Sequence, residues 1–260
     1  MSRSDPLLAP FLRGHVAHRA LHGPGRPENS RAAIRAARAL GVPVEIDVQP
    51  SRDGVAMAFH DYGLDRLTEA RGAVHAATAA ELGATPLRGG DEGVPTLAEA
   101  LREAGDLPVL IEVKDRDGDM GPTVGALEEA VADALAGHAG PVAVMSFNPH
   151  SVAAMARLRP DLPRGLVTAA FRAEHWPTLT EGTRARLRGV PDLERVGAAF
   201  VSHEVAALDM PRVAEIAATR PVLCWTVRSE AEERGARRIA TSVTFEGYLP
   251  EGLGAPPREG

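Results

Sequence analysis

Lysine is almost missing from this chain: of its 29 basic residues only Lys114 is a lysine, and the other 28 are arginines. Arginine is used wherever any cation would serve, so Lys114 marks a position where arginine does not serve, unless one lysine has survived by chance. Cysteine is as scarce. Cys224 alone excludes a disulfide within the chain, and its place in the apolar run Pro221–Val227 reads as a buried, inert thiol. Aromatic residues make up 4% of the chain against a hydrophobic share of 44%, so a core must be built mainly from Ala, Val, Leu and Ile. No stretch approaches the roughly 20 apolar residues that span a bilayer, and the opening residues lack a signal-peptide apolar run; the expectation is a cytoplasmic protein without a membrane span. Positive charge is lacking too. A net charge of -6 gives no basic field for nucleic acid.

Apolar strand-like runs alternate with helix-period segments along the whole chain, which implies βα units and a parallel sheet. Strands are expected near 14–18, 42–48, 108–114, 141–146, 164–168, 198–202, 221–227 and 241–245. Eight strands in 260 residues fit one TIM-type (β/α)8 barrel, for which about 250 residues is typical. The periodicity predicts helices over 27–40, 96–104, 123–136 and 211–219, and on the first of these Arg31, Arg35 and Arg38 form a stripe expected to face solvent. Residues 50–106 do not fit a single βα step, because Ser51-Arg-Asp-Gly reads as a turn and Val55–Phe59 as a short strand. A small insertion between the second and third main strands accounts for them. One barrel domain over 1–251 is expected, with 252–260 as a Gly/Pro-rich tail that does not pack. No covering helix is identified with an apolar outer face, so no oligomeric state is read.

In a parallel barrel the functional groups gather at the C-terminal ends of the strands, and the polar exceptions to these apolar strands fall there. His18-Arg19 closes the first strand, Glu45 and Asp47 the second, Glu112 and Lys114 the third, and Ser146-Phe147 the fourth. Because side chains alternate along a strand, Glu45 shares a face with Asp47, and Glu112 with Lys114. Three carboxylates so placed suit one hard divalent cation, Mg2+ or Ca2+, which takes oxygen ligands. The alternative is a structural network in which they neutralise Arg19 and Lys114. His18 and His60 tip the balance, since two imidazoles flanking a phosphoryl group can act as base and acid. Asp61 either orients His60 or caps the turn after it, and Phe147 and Trp225 are candidate pocket residues or ordinary rim packing. His203 would face the mouth or be a surface or locally hydrogen-bonded histidine, Trp176-Pro177 would form a small lid or pack on a helix, and His22 has no evident role.

These residues resemble the glycerophosphodiester phosphodiesterase family. The matching pieces are His18-Arg19, Pro27-Glu28-Asn29-Ser30, Glu45-Ile46-Asp47-Val48, Asp53-Gly54, His60-Asp61, Leu64-Asp65-Arg66-Leu67-Thr68 and Glu112-Val113-Lys114, in the family's order. The resemblance implies a triosephosphate-isomerase-type barrel that hydrolyses a small-molecule glycerophosphodiester to glycerol 3-phosphate and an alcohol. His18 and His60 would be the acid/base pair, Glu45, Asp47 and Glu112 would hold one divalent ion, and Arg19 and Lys114 would bind phosphate oxygens. It further implies attack by the substrate's own glycerol hydroxyl through a cyclic phosphate. Glu28 and Asn29 would fix the first loop.

Three departures stand out. Ala20 replaces the family's usual Gly, an unusual loop runs from Leu21 to Arg26, and the last strand continues Phe245-Glu246-Gly247-Tyr248-Leu249-Pro250 in place of Thr-Asp-x-Pro. Two rivals remain open: a lysophospholipid- or sphingolipid-cleaving relative, and a non-catalytic barrel that binds a phosphorylated ligand.

Overall fold

The computed structural model describes residues 6–253. Nine strands follow one another as β1 (His15–Ala17), β2 (Val44–Pro50), β3 (Ala56–Ala58), β4 (Val109–Val113), β5 (Val142–Ser146), β6 (Arg164–Thr168), β7 (Phe200–Glu204), β8 (Val222–Val227) and β9 (Ser242–Phe245). All but β3 are parallel, and β1 pairs with both β9 and β2, so eight strands close into a barrel. Helices α1 (Arg31–Leu40), α2 (Ala79–Gly83), α3 (Leu97–Ala104), α4 (Ala126–Ala134), α5 (Pro149–Leu158), α6 (Glu181–Arg188), α7 (Pro211–Ala217) and α8 (Glu230–Ala236) lie between strands. All of them except α2 complete βα units. The fold is the expected TIM-type barrel.

Alternation along each strand divides the chain's small apolar residues between two cores. Helix-facing Val44, Ile46, Val109 and Ile111 pack against α1 and α3 residues such as Ile34, Ala37, Leu97 and Leu101. Barrel-facing Val16, Leu110, Ala143, Met145, Val167, Phe200 and Leu223 pack with Leu8 and Phe11 from the N-terminal turn. The charged ends of β2 and β4 lie at the opposite, C-terminal rim. The insertion is a hairpin in which β3 runs antiparallel on β2, and it buries its own cluster of Met57, Phe59, Leu64, Val74, Leu82, Leu87 and Val94.

Several sequence expectations are corrected here. The first helix begins at Arg31, not Pro27: Asn29 has φ 57°, and the Ser30 hydroxyl caps the helix by accepting from the Ala33 amide. The arginine stripe of α1 faces outward as expected, with Arg35 and Arg38 exposed, and it carries surface ion pairs: Arg31 lies 3.4 Å from Glu99, and Arg35 reaches Glu92 at 2.6 Å and Glu103 at 3.3 Å. The expected packing-free tail begins too early, because Leu253 packs against the α1 core; residues 254–260 lie outside the described region. Cys224 is buried as expected, and burial pushes its thiol up to about 12.

His203 does not face the mouth; of its expected settings, the locally hydrogen-bonded one holds. It is buried on the helix side of β7, with Nδ1 2.7 Å from the Thr168 hydroxyl and Nε2 3.1 Å from the Ala207 carbonyl. A carbonyl only accepts, so Nε2 carries the proton and Thr168 donates to Nδ1. Burial pushes the group down to about 4 from an ordinary 6.5, against smaller opposing effects of the Ala207 bond and Glu204. The unfolded chain therefore takes up this proton first as pH falls below 6.5, and stability is lost between 6.5 and 4. From pH 7 to pH 5 the expected loss through His203 is about 2 kcal/mol. Urea midpoints at the two pH values should show it, with a smaller drop in His203→Gln.

Candidate active site

The expected site residues come together at the C-terminal rim. His18, Arg19, Glu45, Asp47, His60, Glu112, Lys114, Phe147 and Trp225 all line one cavity of about 140 Å³. Strand register explains the carboxylates: β2 and β4 pair with Asp47 directly opposite Glu112, and Glu45 two residues earlier on the same face. His18 and Arg19 follow β1, while His60 follows β3, so the insertion hairpin carries the second histidine back over the barrel. The Gln49 side chain holds that hairpin by donating to the His60 carbonyl at 3.1 Å.

Lys114 Nζ lies between two of the carboxylates, 2.7 Å from Glu112 Oε1 and 3.0 Å from Asp47 Oδ1. Asp47 is also gripped by Asn29, whose amide donates to Oδ2 at 3.0 Å and whose carbonyl oxygen accepts from the Asp47 amide at 3.1 Å. Arg19 donates to Glu28 at 2.8 Å and lies 3.5 Å from Asp47, and its backbone amide donates to Glu45 at 2.9 Å. Glu28 and Asn29 thus act on the loop and on Asp47. Arg19 and Asn29 hold left-handed backbone, with Ala20 at φ 62° between them where glycine would be unstrained.

Asp61 orients His60: Oδ1 lies 2.6 Å from Nδ1, and Arg66 fixes the carboxylate with a bond of 2.6 Å to Oδ2. Arg66 in turn reaches Glu28. His60, Asp61, Arg66, Glu28 and Arg19 form one chain of contacts along the mouth.

Three buried carboxylates repel one another. Burial, followed by the charges of Asp47 and Glu112, holds the Glu45 carboxyl well above the usual range. Burial would raise Asp47 as well, but the cations Lys114 and Arg19 help hold it far below that range. Burial favours neutral His18 and lowers its affinity for a proton, partly opposed by a bond to Glu246. Glu45 Oε1 is buried with no hydrogen-bond partner among the described residues. Oxygens of Glu45, Asp47 and Glu112 lie within 4.8 Å of one another, so this donor set fits one hard divalent cation.

Phe147 and Trp225 stand at the opposite wall, ring centroids 5.5 Å apart, and Trp176 packs on Phe147 and Phe171. The Leu21–Arg26 loop does not line this pocket. It borders a separate cavity of about 530 Å³ with Phe245–Leu249. Sequence reasoning missed Glu246, whose carboxylate meets His18 and lies 3.5 Å from His22. The only signal in the sequence was a carboxylate at the end of the last strand.

A sequence model of the glycerophosphoryl diester phosphodiesterase family matches residues 18–244, from His18 to the end of the barrel. The chain belongs to this family. Its members are enzymes, phosphoric diester hydrolases, and so is this protein. A glycerophosphodiester phosphodiesterase of Caldanaerobacter subterraneus is 29% identical over 170 residues, covering 62% of this chain and 69% of the relative. A probable glycerophosphodiester phosphodiesterase 2 of Mycobacterium tuberculosis is 33% identical over 137 residues, 51% of each chain. Among solved structures, an Oleispira antarctica phosphodiesterase in complex with the product sn-glycerol-3-phosphate aligns at TM-score 0.75 and 26% identity, over 90% of this chain and 93% of that one. Among the described residues no helix is long and apolar enough to cross a membrane.

Proposed function

We propose that the protein hydrolyses small-molecule glycerophosphodiesters to glycerol 3-phosphate and an alcohol, with His18 and His60 as the acid/base pair and one divalent cation, Mg2+ or Ca2+, held by Glu45, Asp47 and Glu112. The observation that carries this is the gathering of two oriented imidazoles, three mutually repelling carboxylates and two cations around one small pocket. The product-bound Oleispira relative supports the glycerol 3-phosphate assignment. A cytoplasmic setting fits the single buried cysteine.

The bound cation would neutralise charge on the phosphate oxygens. Arg19 and Lys114 add to this from the same rim, although in the structure both are paired with carboxylates, so substrate must share them. His18 is the more buried imidazole and is kept neutral, which suits it to take the proton of the attacking glycerol hydroxyl. His60 is about a third exposed, where a departing alcohol leaves, and it supplies that alcohol's proton. The hydroxyl oxygen bonds to phosphorus, the phosphorus–alkoxy bond breaks, and a cyclic phosphate results. Water then opens the ring with the two histidines in exchanged roles, so no Ser or Cys nucleophile is required. Phe147 and Trp225 offer apolar contact to glycerol or alcohol carbons.

Phosphorus NMR time courses on glycerophosphodiesters of choline, ethanolamine, inositol and glycerol test this reading. A transient cyclic phosphate followed by glycerol 3-phosphate is expected with at least one of them, and no turnover of any would overturn it. Lys114→Arg should lose at least about tenfold in kcat/KM despite the retained charge, because a planar fork cannot replace the compact ammonium between Asp47 and Glu112. Wild-type kinetics in that variant would return the lone lysine to chance.

A further inference from the structure

Both imidazoles of the pocket are gripped from behind in the same manner. His60 Nδ1 meets Asp61, which is held by Arg66. His18 Nδ1 lies 2.5 Å from Glu246 Oε2, and Arg228 reaches Glu246 Oε1 at 2.7 Å. The two grips arise differently. Asp61 adjoins its histidine in sequence, whereas Glu246 arrives from the end of β9, 228 positions from His18. Barrel closure sets that distance, because the His18 amide donates to the Phe245 carbonyl at 2.9 Å and the Glu246 amide to the Val227 carbonyl at 3.0 Å.

We propose that Glu246 is a positioning residue for the phosphodiester reaction, holding His18 through Nδ1 so that Nε2 is the nitrogen presented to substrate. The inference rests on the proposed role of His18. An ionised carboxylate only accepts, so Nδ1 must carry the proton in this bond, and neutral His18 is left with a bare Nε2, the tautomer a base needs. When Nε2 takes a proton, Glu246 stabilises the imidazolium that burial would otherwise disfavour. Glu246 remains ionised for this task. The bond from His18, the nearby His22 and the charge of Arg228 hold its carboxyl far below the usual range. His22 contributes from the loop that departs from the family pattern, its Nε2 buried and 3.5 Å from the same oxygen. Glu246 borders the cavity behind His18 and does not line the substrate pocket, so it acts through His18.

Glu246→Gln keeps the shape and removes the obligate acceptor; its amide can donate to Nδ1 and favour the wrong tautomer. We expect kcat to fall about 10- to 100-fold with little change in KM, and Glu246→Asp, which keeps the charge, to recover part of the loss. Wild-type protein should show a strongly downfield imidazole N–H proton that disappears in Glu246→Gln and in His18→Ala but persists in His60→Ala. An unchanged kcat in Glu246→Gln, or persistence of that proton, would overturn the proposal. If Glu246→Gln does not fold, absence of the proton from wild type overturns it equally. Should wild type turn over no glycerophosphodiester, the functional reading fails, while the proton still decides whether Glu246 holds His18.

Discussion

Alanine at His18 or at His60 is expected to lower kcat by about 100-fold or more, with little change in the far-ultraviolet circular dichroism of the fold. The size follows from what each imidazole does. In the proposed mechanism one removes a proton from a hydroxyl that is otherwise a poor nucleophile, and the other protonates an alcohol that is otherwise a poor leaving group. Neither side chain props the barrel: both sit at the rim, above the apolar interior of Val16, Leu110 and Phe200. Loss of either should therefore appear in kcat, while KM, set by contacts to the phosphate and its carbons, moves less. Full activity in either variant would contradict the paired-histidine mechanism.

Removal of divalent metal by a chelator is expected to cost at least about 100-fold in turnover, restored by adding Mg2+ or Ca2+, since a cation at phosphate oxygens supplies several kcal/mol of charge stabilisation. A second readout does not depend on activity. Burial and the nearby charges of Asp47 and Glu112 keep Glu45 well above the usual carboxylate range, so the metal-free site binds a proton more readily than an ordinary glutamate does. Metal must displace that proton, so affinity should rise with pH and binding should release protons, measurable by calorimetry in buffers of different ionisation enthalpy. Glu45→Gln should weaken binding and abolish the proton release. Unchanged turnover after chelation would show that Lys114 and Arg19 neutralise the phosphate alone.

The barrel was legible because each βα unit carries its own local signal, and the carboxylates were legible because strand parity alone puts Glu45 beside Asp47 and Glu112 beside Lys114. What escaped the sequence depends on contacts between distant segments. The bond between His18 and Glu246 exists only once β9 closes on β1, and the pairing of Arg35 with Glu92 only once α1 packs beside the insertion. The start of α1 escaped for a local reason: Pro27, Glu28 and Asn29 look like a helix N-terminus, yet Asn29 turns left-handed so that its amide can hold Asp47. Helix periodicity at Pro27–Asn29 was overridden by the site itself.

The most direct measurement is release of glycerol 3-phosphate from glycerophosphocholine, glycerophosphoethanolamine, glycerophosphoinositol and bis-glycerophosphate by purified protein, with metal, with chelator, and with metal restored. Metal-dependent release from at least one diester, lost in His18→Ala and in His60→Ala, is the predicted result. No release from any of the four with metal present, or release indifferent to both histidines, would contradict it.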